Sequence, residues 1–247
     1  MSLKLSIKRR VNRCLRFCLR KKEARIHGIV VPLALIPDGQ ALKELDRGTY
    51  EDAEAALIAR HFTPGATVIE LGASLGIISA VIGRTNPARL LCVEAIPEFA
   101  EVVRAMLARN CPQVPHEVIA CAIATSDGVI SFAPAGDDTF TGRVATAPAA
   151  NGTIQVPARR LSTLLAQLRV TAPFHLVCDI EGMEVPMFLE DAGALAGCAG
   201  LILEAHPTNH QGREFTPDAV FELCQSLGFE MIERRRNAAY LTKKISS

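Results

Sequence analysis

Apolar positions recur along this chain with two alternating periods. In residues 3–22, Leu3, Ile7, Val11, Leu15 and Leu19 fall every four positions, and Lys8, Arg9, Arg13, Arg16 and Arg20 take the other faces. That spacing predicts a basic amphipathic helix. Next, RIHGIVVPLALIPDG reads as two short strands interrupted by Pro32 and closed at the Pro37, Asp38, Gly39 turn. In GTYEDAEAALIARHF, Ala53, Ala56, Leu57 and Phe62 have helical spacing, and Thr49 with Asp52 predicts a capping box. Strands and helices then alternate. ATVIELGA reads as a strand, the segment from Leu75 as a helix, and RLLCVEA as a strand. PEFAEVVRAMLARN reads as a helix with Pro97 in its first turn and a stop at Asn110. EVIACAIA, GVISFAP, TIQVPA, HLVCDI and GLILEA follow as strands, with RLSTLLAQL and VPMFLEDAGAL as helices between the later ones. TPDAVFELCQSLG is a helix capped by Thr216 and stopped by Gly228, and FEMIERR with AYLTKK forms a closing hairpin.

Strands such as LLCVEA and HLVCDI are apolar at consecutive positions, as a sheet covered by helices on both faces requires. The expected fold class is therefore α/β, a doubly wound sheet with an antiparallel C-terminal hairpin. A chain of 247 residues with 49% apolar residues can build this around one core without a second domain. APAGDDTFTGRVATAPAANG, residues 133–152, offers little to bury and reads as a mobile loop.

Charge adds a division within the chain. The net charge of +1 conceals ten Lys or Arg against Glu23 alone in residues 1–25, which leaves the remainder acidic. The expected organisation is a basic helix over residues 1–25 and one domain over residues 26–247. The helix either docks on an anionic membrane surface or acidic partner, or packs its apolar stripe on the body. Nucleic acid is not an expected partner, because the basic charge is terminal, the body is acidic and there is no Trp to stack bases. Eight cysteines without a C-x-x-C pair sit mostly in apolar runs, as reduced thiols do, and point to a cytoplasmic protein, peripheral at the inner membrane face if the helix docks there. No run approaches the ~20 apolar residues of a membrane span, and the start lacks the apolar segment of a secretory signal.

In open α/β sheets ligands bind at the carboxyl ends of the strands. Those ends carry Glu70 with the Gly72 loop, Glu94, the segment Cys121–Ala124, Asp179 with Glu181, and Glu204 with His206. The loop VIELGASLGIIS has neither the Lys and Ser/Thr of a phosphate loop nor the G-x-G-x-x-G spacing of a dinucleotide site. Its glycines permit close approach of a ligand, and Glu70 beside them disfavours an anion. Glu94, 22 residues after Gly72, is placed to accept hydrogen bonds from both hydroxyls of a ribose. A nucleoside without phosphate and with positive charge fits both features, and S-adenosylmethionine is one.

VIELGASLGIIS, LCVEAIPEFAEVVRAMLARN, VIACAIATSDGVISF, VPARRLSTLL, HLVCDIEGMEVPMFL and LILEAHP, in that order, resemble the FkbM family of S-adenosylmethionine-dependent methyltransferases. The resemblance spans roughly residues 46–207 and implies a Rossmann-like class I methyltransferase sheet. It also implies that Glu70, Gly72, Ala73, Ser74 and Gly76 line the methionine part of the cofactor. Glu94 would take the ribose, Ala95 and Ile96 would flank the adenine, and Ala122 and Ile123 would complete that pocket. Tyr50 and Glu51 match an entrance element near the cofactor or substrate, and Asp179, Glu181 and Glu184 match an acidic segment at the reaction centre, with Glu51 and Asp179 also expected to contact the cofactor. The chain departs from the family pattern at Glu70 for Asp, Ser74 for Asn, Cys178 for Lys and Ser162 for Asp.

Methyl transfer from a sulfonium is an in-line displacement, so positioning a hydroxyl behind the methyl supplies much of the rate. The hydroxyl also needs a base, for which Asp179, Glu181 and His206 are the candidates. A divalent metal held by the same groups is the disfavoured route, since D-x-E-x-x-E with a distant E-x-H is not a diagnostic ligand set. The expected activity is O-methylation of a hydroxyl on a sugar, glycan or glycolipid-type acceptor. The rival readings are a non-catalytic cofactor-binding module recruited by the basic helix, and a nicotinamide enzyme, which the glycine spacing disfavours.

Overall fold

The computed structural model describes residues 22–36, 40–134, 142–144 and 154–243. The basic helix expected over residues 1–25 therefore lies outside the described residues, apart from its last four positions. There Glu23–Ile26 forms strand β1, which pairs antiparallel with β2, Ile29–Pro32. The turn between them falls at His27 and Gly28, both left-handed, so Pro32 closes the second strand instead of separating two. Leu33–Leu35 is a single 3-10 turn, not strand.

Two helices follow, α1 (Gln40–Arg47) and α2 (Asp52–His61). Helix α1 is absent from the sequence reading. The expected capping box at α2 does not form: Glu51 occupies the cap position with φ 47°, no side chain caps the helix, and the Thr49 N–H is bonded to the carbonyl of Glu44. The alternating part comprises β3 (Thr67–Leu71), α3 (Ile77–Gly83), β4 (Arg89–Glu94), α4 (Pro97–Asn110) and β5 (His116–Ala120). The chain then leaves the main sheet for a smaller one built from β6 (Ala122–Ile123), β7 (Gly128–Pro134), β8 (Gly142–Val144) and β9 (Ile154–Arg159). EVIACAIA is thus two strands, not one. Within the expected loop 133–152, Ala133 and Pro134 belong to β7 and residues 142–144 pair with it; the rest lies outside the described residues.

The main sheet resumes with α5 (Leu161–Gln167), β10 (Phe174–Cys178), α6 (Glu184–Glu190) and β11 (Cys198–Glu204). A small hairpin of β12 (Thr208–His210) and β13 (Arg213–Phe215) precedes α7 (Pro217–Ser226), whose Thr216 hydroxyl accepts from the Ala219 N–H as expected. The chain closes with β14 (Glu230–Arg235) and β15 (Ala238–Thr242). The seven-stranded order is β14-β15-β11-β10-β3-β4-β5. The strands β5, β4, β3, β10 and β11 are parallel, and β15 runs antiparallel between β11 and β14.

The two faces of this sheet are covered separately. Val68, Leu90, Val177 and Ile202 face one layer, which includes Leu57, Ile58, Ile77 and Val103 of α2, α3 and α4. Ile69, Leu71, Leu91, Leu176 and Leu201 face the other, with Leu161, Val185 and Phe221 of α5, α6 and α7. Successive side chains point to opposite faces of a strand, so a strand covered twice must be apolar throughout. Among the described residues no helix is long and apolar enough to cross a membrane.

Candidate active site

Strand order reverses direction between β3 and β10, because the chain adds β4 and β5 on one side of β3 and places β10 and β11 on the other. A crevice opens outside the carboxyl ends at such a point. A cavity of about 290 Å³ occupies it here. Among the described residues its lining includes Glu44, Glu51, Glu94, Asp179, Glu181 and Glu204, and no Lys, Arg or His.

The floor depends on Gly72. Its N–H and that of Ala73 both bond the carbonyl of Val93, while the Asp179 N–H bonds the carbonyl of Leu71, so the ends of β3, β4 and β10 are fastened together. Gly72 has φ +86°, and a side chain there would overlap the Asp179 carbonyl oxygen. Gly76 serves packing instead, since a Cβ on it would come within 2.9 Å of Val103 Cα in α4. Gly76 and the buried Ala73 lie behind the lining, while Ser74 is in it.

Glu70 does not reach the cavity. It lies on β3 with the parity of Val68, faces α3, is 1% exposed and accepts a hydrogen bond from the Ser79 hydroxyl. Burial pushes its carboxyl up to about 8, so it is protonated at neutral pH. The negative charge expected of Glu70 beside the glycine loop is supplied instead by carboxylates on other elements.

At one end of the cavity the expected residues converge. Glu94 Oε2 accepts from the Ser74 N–H at 2.7 Å and Oε1 from the Ile96 N–H at 2.8 Å. Burial raises its pKa and these backbone donors oppose the rise. Ala95, Ile96, Ala122 and Ile123 line the same end. Phe132 joins them from β7, packed with Ile96, Phe99, Ala122 and Val156. Sequence reasoning missed Phe132, because it arrives through the smaller sheet.

The other end is acidic. Asp179 and Glu181 line it, with Glu181 left-handed at φ 53°. Glu184, 0% exposed, stays behind them and accepts from the N–H groups of Ile180 and Gly182 at 3.1 and 2.8 Å. It holds the loop and does not face the cavity. Its Oε1 also lies 3.1 Å from His206 Nδ1. His206 Nε2 is 3.7 Å from both Asp179 Oδ1 and Glu181 Oε2. Burial works to strip the ring of its proton, but the bond from Glu184 and the charges of Asp179, Glu184 and Glu181 hold its pKa up to about 10. A cationic imidazole has no lone pair to accept a proton, so His206 is not the base in this state. Burial pushes Asp179 up to about 8, against His206 and with Glu181 and Glu184.

Glu54 is the second residue that sequence reasoning missed. It sits on the buried face of α2, 5% exposed, and its carboxyl is hydrogen-bonded to Glu204 at the end of β11. Burial, then the charge of Glu204, pushes Glu54 up to about 8, so the pair shares a proton. A carboxyl on an otherwise apolar helix face, beside Ala55, Leu57 and Ile58, was the available signal. Tyr50 completes this side, its hydroxyl bonded with Ser74 and Glu51. Burial and the neighbouring Asp179, Glu54 and Glu70 raise Glu51 well above the usual carboxylate range.

No protein-family model and no curated protein matches this sequence. Among solved structures, the methyltransferase FkbM from Methylobacillus flagellatus KT is similar with a TM-score of 0.51 at 14% identity, over 85% of this chain and 56% of that one. The fold is that of Rossmann-like methyltransferases. This chain spans just over half the length of that protein. The magnesium protoporphyrin IX methyltransferase from Synechocystis PCC 6803, solved with bound SAH, gives a TM-score of 0.49 at 10% identity, over 86% of this chain and 92% of that one.

Proposed function

We propose that this chain is an S-adenosylmethionine-dependent methyltransferase that methylates a hydroxyl of a sugar, glycan or glycolipid-type acceptor. The observation that carries the donor is the lining of the switch-point cavity: carboxylates at one end, an apolar slot with a pinned carboxylate at the other, and, among the described residues, no cationic side chain for a phosphate. The acceptor class rests on the FkbM resemblance of the ordered motifs.

The residues fit this cofactor. Each Glu94 oxygen is held by one backbone N–H and keeps lone pairs for ribose hydroxyls. Ile96, Ala122, Ile123 and Phe132 offer an apolar slot for a purine. Glu51, Asp179 and Glu181 place acidic groups where a ligand with two cationic centres needs them. Bound there, the cofactor supplies an activated methyl group on a sulfonium.

The protein's own part is to hold an acceptor hydroxyl and take its proton. With His206 cationic, that base is Glu181, or Asp179 once a bound cation has driven off the proton that burial holds on it, and His206 with Glu184 fixes their positions. Residues 1–25 are proposed to tether the enzyme to an anionic membrane; deleting residues 1–24 then releases it from anionic vesicles and leaves cofactor binding intact. Calorimetry with S-adenosylmethionine, followed by transfer of labelled methyl to glycan and lipid extracts, tests the main reading. Absence of binding heat overturns the donor, and binding with label only in non-hydroxyl products overturns the acceptor.

A further inference from the structure

We infer that Asp179, Glu181 and His206 form the binding site of one divalent transition-metal ion, which holds the acceptor hydroxyl and lowers its pKa. Only the role of the ion rests on the methyltransferase reading; its binding does not.

His206 Nε2, Asp179 Oδ1 and Glu181 Oε2 come from the ends of two adjacent strands and all lie within 4.8 Å of one another. The two distances from Nε2 are 3.7 Å. Donors bonded to one ion at about 2.0–2.2 Å stand about 3–3.5 Å apart. The two distances from Nε2 therefore need a contraction of only a few tenths of an ångström, and the two carboxylates, whose ligand atoms lie within 4.8 Å, come into the same shell by side-chain rotation.

Two further observations point to an ion and not to any acidic cluster. The first is how the imidazole is held. Its Nδ1 is tied to Glu184 Oε1, and Glu184 is itself fully buried and fixed by two backbone N–H groups, so Nε2 is the nitrogen presented to Asp179 and Glu181. A buried carboxylate gripping the far nitrogen is how proteins orient a metal-bound histidine and increase its basicity. The second is Asp179 Oδ1. That atom is sealed from solvent and has no hydrogen-bond partner among the described residues, a costly state for a carboxylate oxygen until a ligand meets it.

Ion binding displaces the Nε2 proton of His206 to solvent, and the resulting set of one nitrogen and two carboxylate oxygens suits Mn²⁺ or Zn²⁺ better than Mg²⁺ or Ca²⁺, which favour all-oxygen shells. Three protein ligands leave open positions on the cavity side for an acceptor hydroxyl. A hydroxyl held there gives up its proton to solvent at lower pH than when free. The proton-accepting demand on the neighbouring carboxylates falls accordingly.

The test uses the full chain freed of metal by a chelator and titrated with MnCl₂, with free Mn²⁺ read by electron paramagnetic resonance. One site per chain is expected. His206→Asn and Glu181→Gln each weaken it at least tenfold, and Glu184→Gln, which touches no metal, weakens it 10–100-fold. Circular dichroism confirms that each variant is folded, and Co²⁺ absorption bands that move in His206→Asn give a second readout on the wild type. No binding of Mn²⁺, Zn²⁺ or Co²⁺ by the wild type at millimolar metal overturns the site, as does equal binding by folded His206→Asn and Glu181→Gln. Calorimetry on the same metal-free protein separates the two readings: cofactor heat without metal binding sinks the metal site alone, and metal binding without cofactor heat sinks the methyltransferase.

Discussion

Glu94 and Asp179 are carboxylates at the ends of parallel strands in one cavity, and their surroundings are opposite. Each Glu94 oxygen receives a backbone N–H, so that end is balanced before any ligand arrives. Among the described residues Asp179 Oδ1 has no hydrogen-bond partner and faces Glu181, Glu184 and Glu54 as like charges, offset by His206. Backbone strain does not follow this division, since Ser74 beside Glu94 is left-handed as well. Glu51 and Glu181 hold left-handed conformations at the acidic end, which cost about 1–3 kcal/mol each and persist only where the surroundings enforce them. By its hydrogen bonds and charges, one end is a preformed slot, and the other is held in an unfavourable state that a cationic ligand relieves.

The most severe test of that contrast is Asp179→Asn. It removes the ionisable carboxyl that the acidic end is built around and retains the shape. Methyl transfer is expected to fall by at least ~100-fold, while the melting temperature stays level or rises because folding no longer has to take up a proton at this site. A single-turnover assay beside thermal melting reads both; unchanged transfer would falsify the division. Gly72→Ala strikes the junction of the two ends. Its Cβ has no space beside the Asp179 carbonyl and its φ is unfavourable for alanine, so a loss of about 3 kcal/mol in urea denaturation is expected, together with loss of cofactor binding. Glu94→Ala probes the balanced end. It frees two backbone donors and removes the ribose acceptor, for a loss of about 1–3 kcal/mol in cofactor affinity by calorimetry.

These contrasts were only partly legible in the sequence. The helices from Pro97 to Asn110 and from Thr216 to Gly228 were readable because their start and stop signals are local, and the structure reproduces both. The strand ends bearing Glu94 and Asp179 were readable because consecutive apolar residues fixed the strands and the fold rule fixed the useful end. Glu70 was misplaced for a reason of parity: period two puts it opposite Leu71, but which face meets the cavity depends on how α3 packs. Glu54 and Phe132 were missed because their roles exist only across elements, between α2 and β11 and between the two sheets. Thr49 with Asp52 matched a capping pattern that the left-handed turn at Glu51 overrides.

Acidity extends the contrast to pH. Asp179 and Glu54 are pushed up to about 8, and Glu51 and Glu204 are raised as well. The folded, empty protein therefore holds protons that the unfolded chain has lost. Their contribution to stability is full below the ordinary carboxylate range and is lost as pH rises towards about 8. A cationic ligand favours the ionised forms, so cofactor affinity is expected to rise between about pH 6 and 9, by up to about tenfold per pH unit for each proton released. Calorimetry in buffers of different ionisation heat counts those protons. Glu70→Gln supplies the control: Glu70 shares the raised pKa but not the cavity, so the count should be unchanged. A lower count would return Glu70 to the site.

The smallest expected effect belongs to Phe132 and tests whether the balanced end is complete without the second sheet. Phe132→Leu keeps an apolar side chain against Ile96 and Val156 and removes only the ring. If the slot receives a purine, the loss is one aromatic contact, about 0.5–1.5 kcal/mol or a few-fold in cofactor affinity. Transfer at saturating cofactor should be unchanged, because Phe132 stands at the opposite end from Asp179 and Glu181. A loss confined to turnover would instead mean that the smaller sheet reaches the acceptor, and the division between a slot for the donor and an acidic end for the reaction would have to be redrawn around β7.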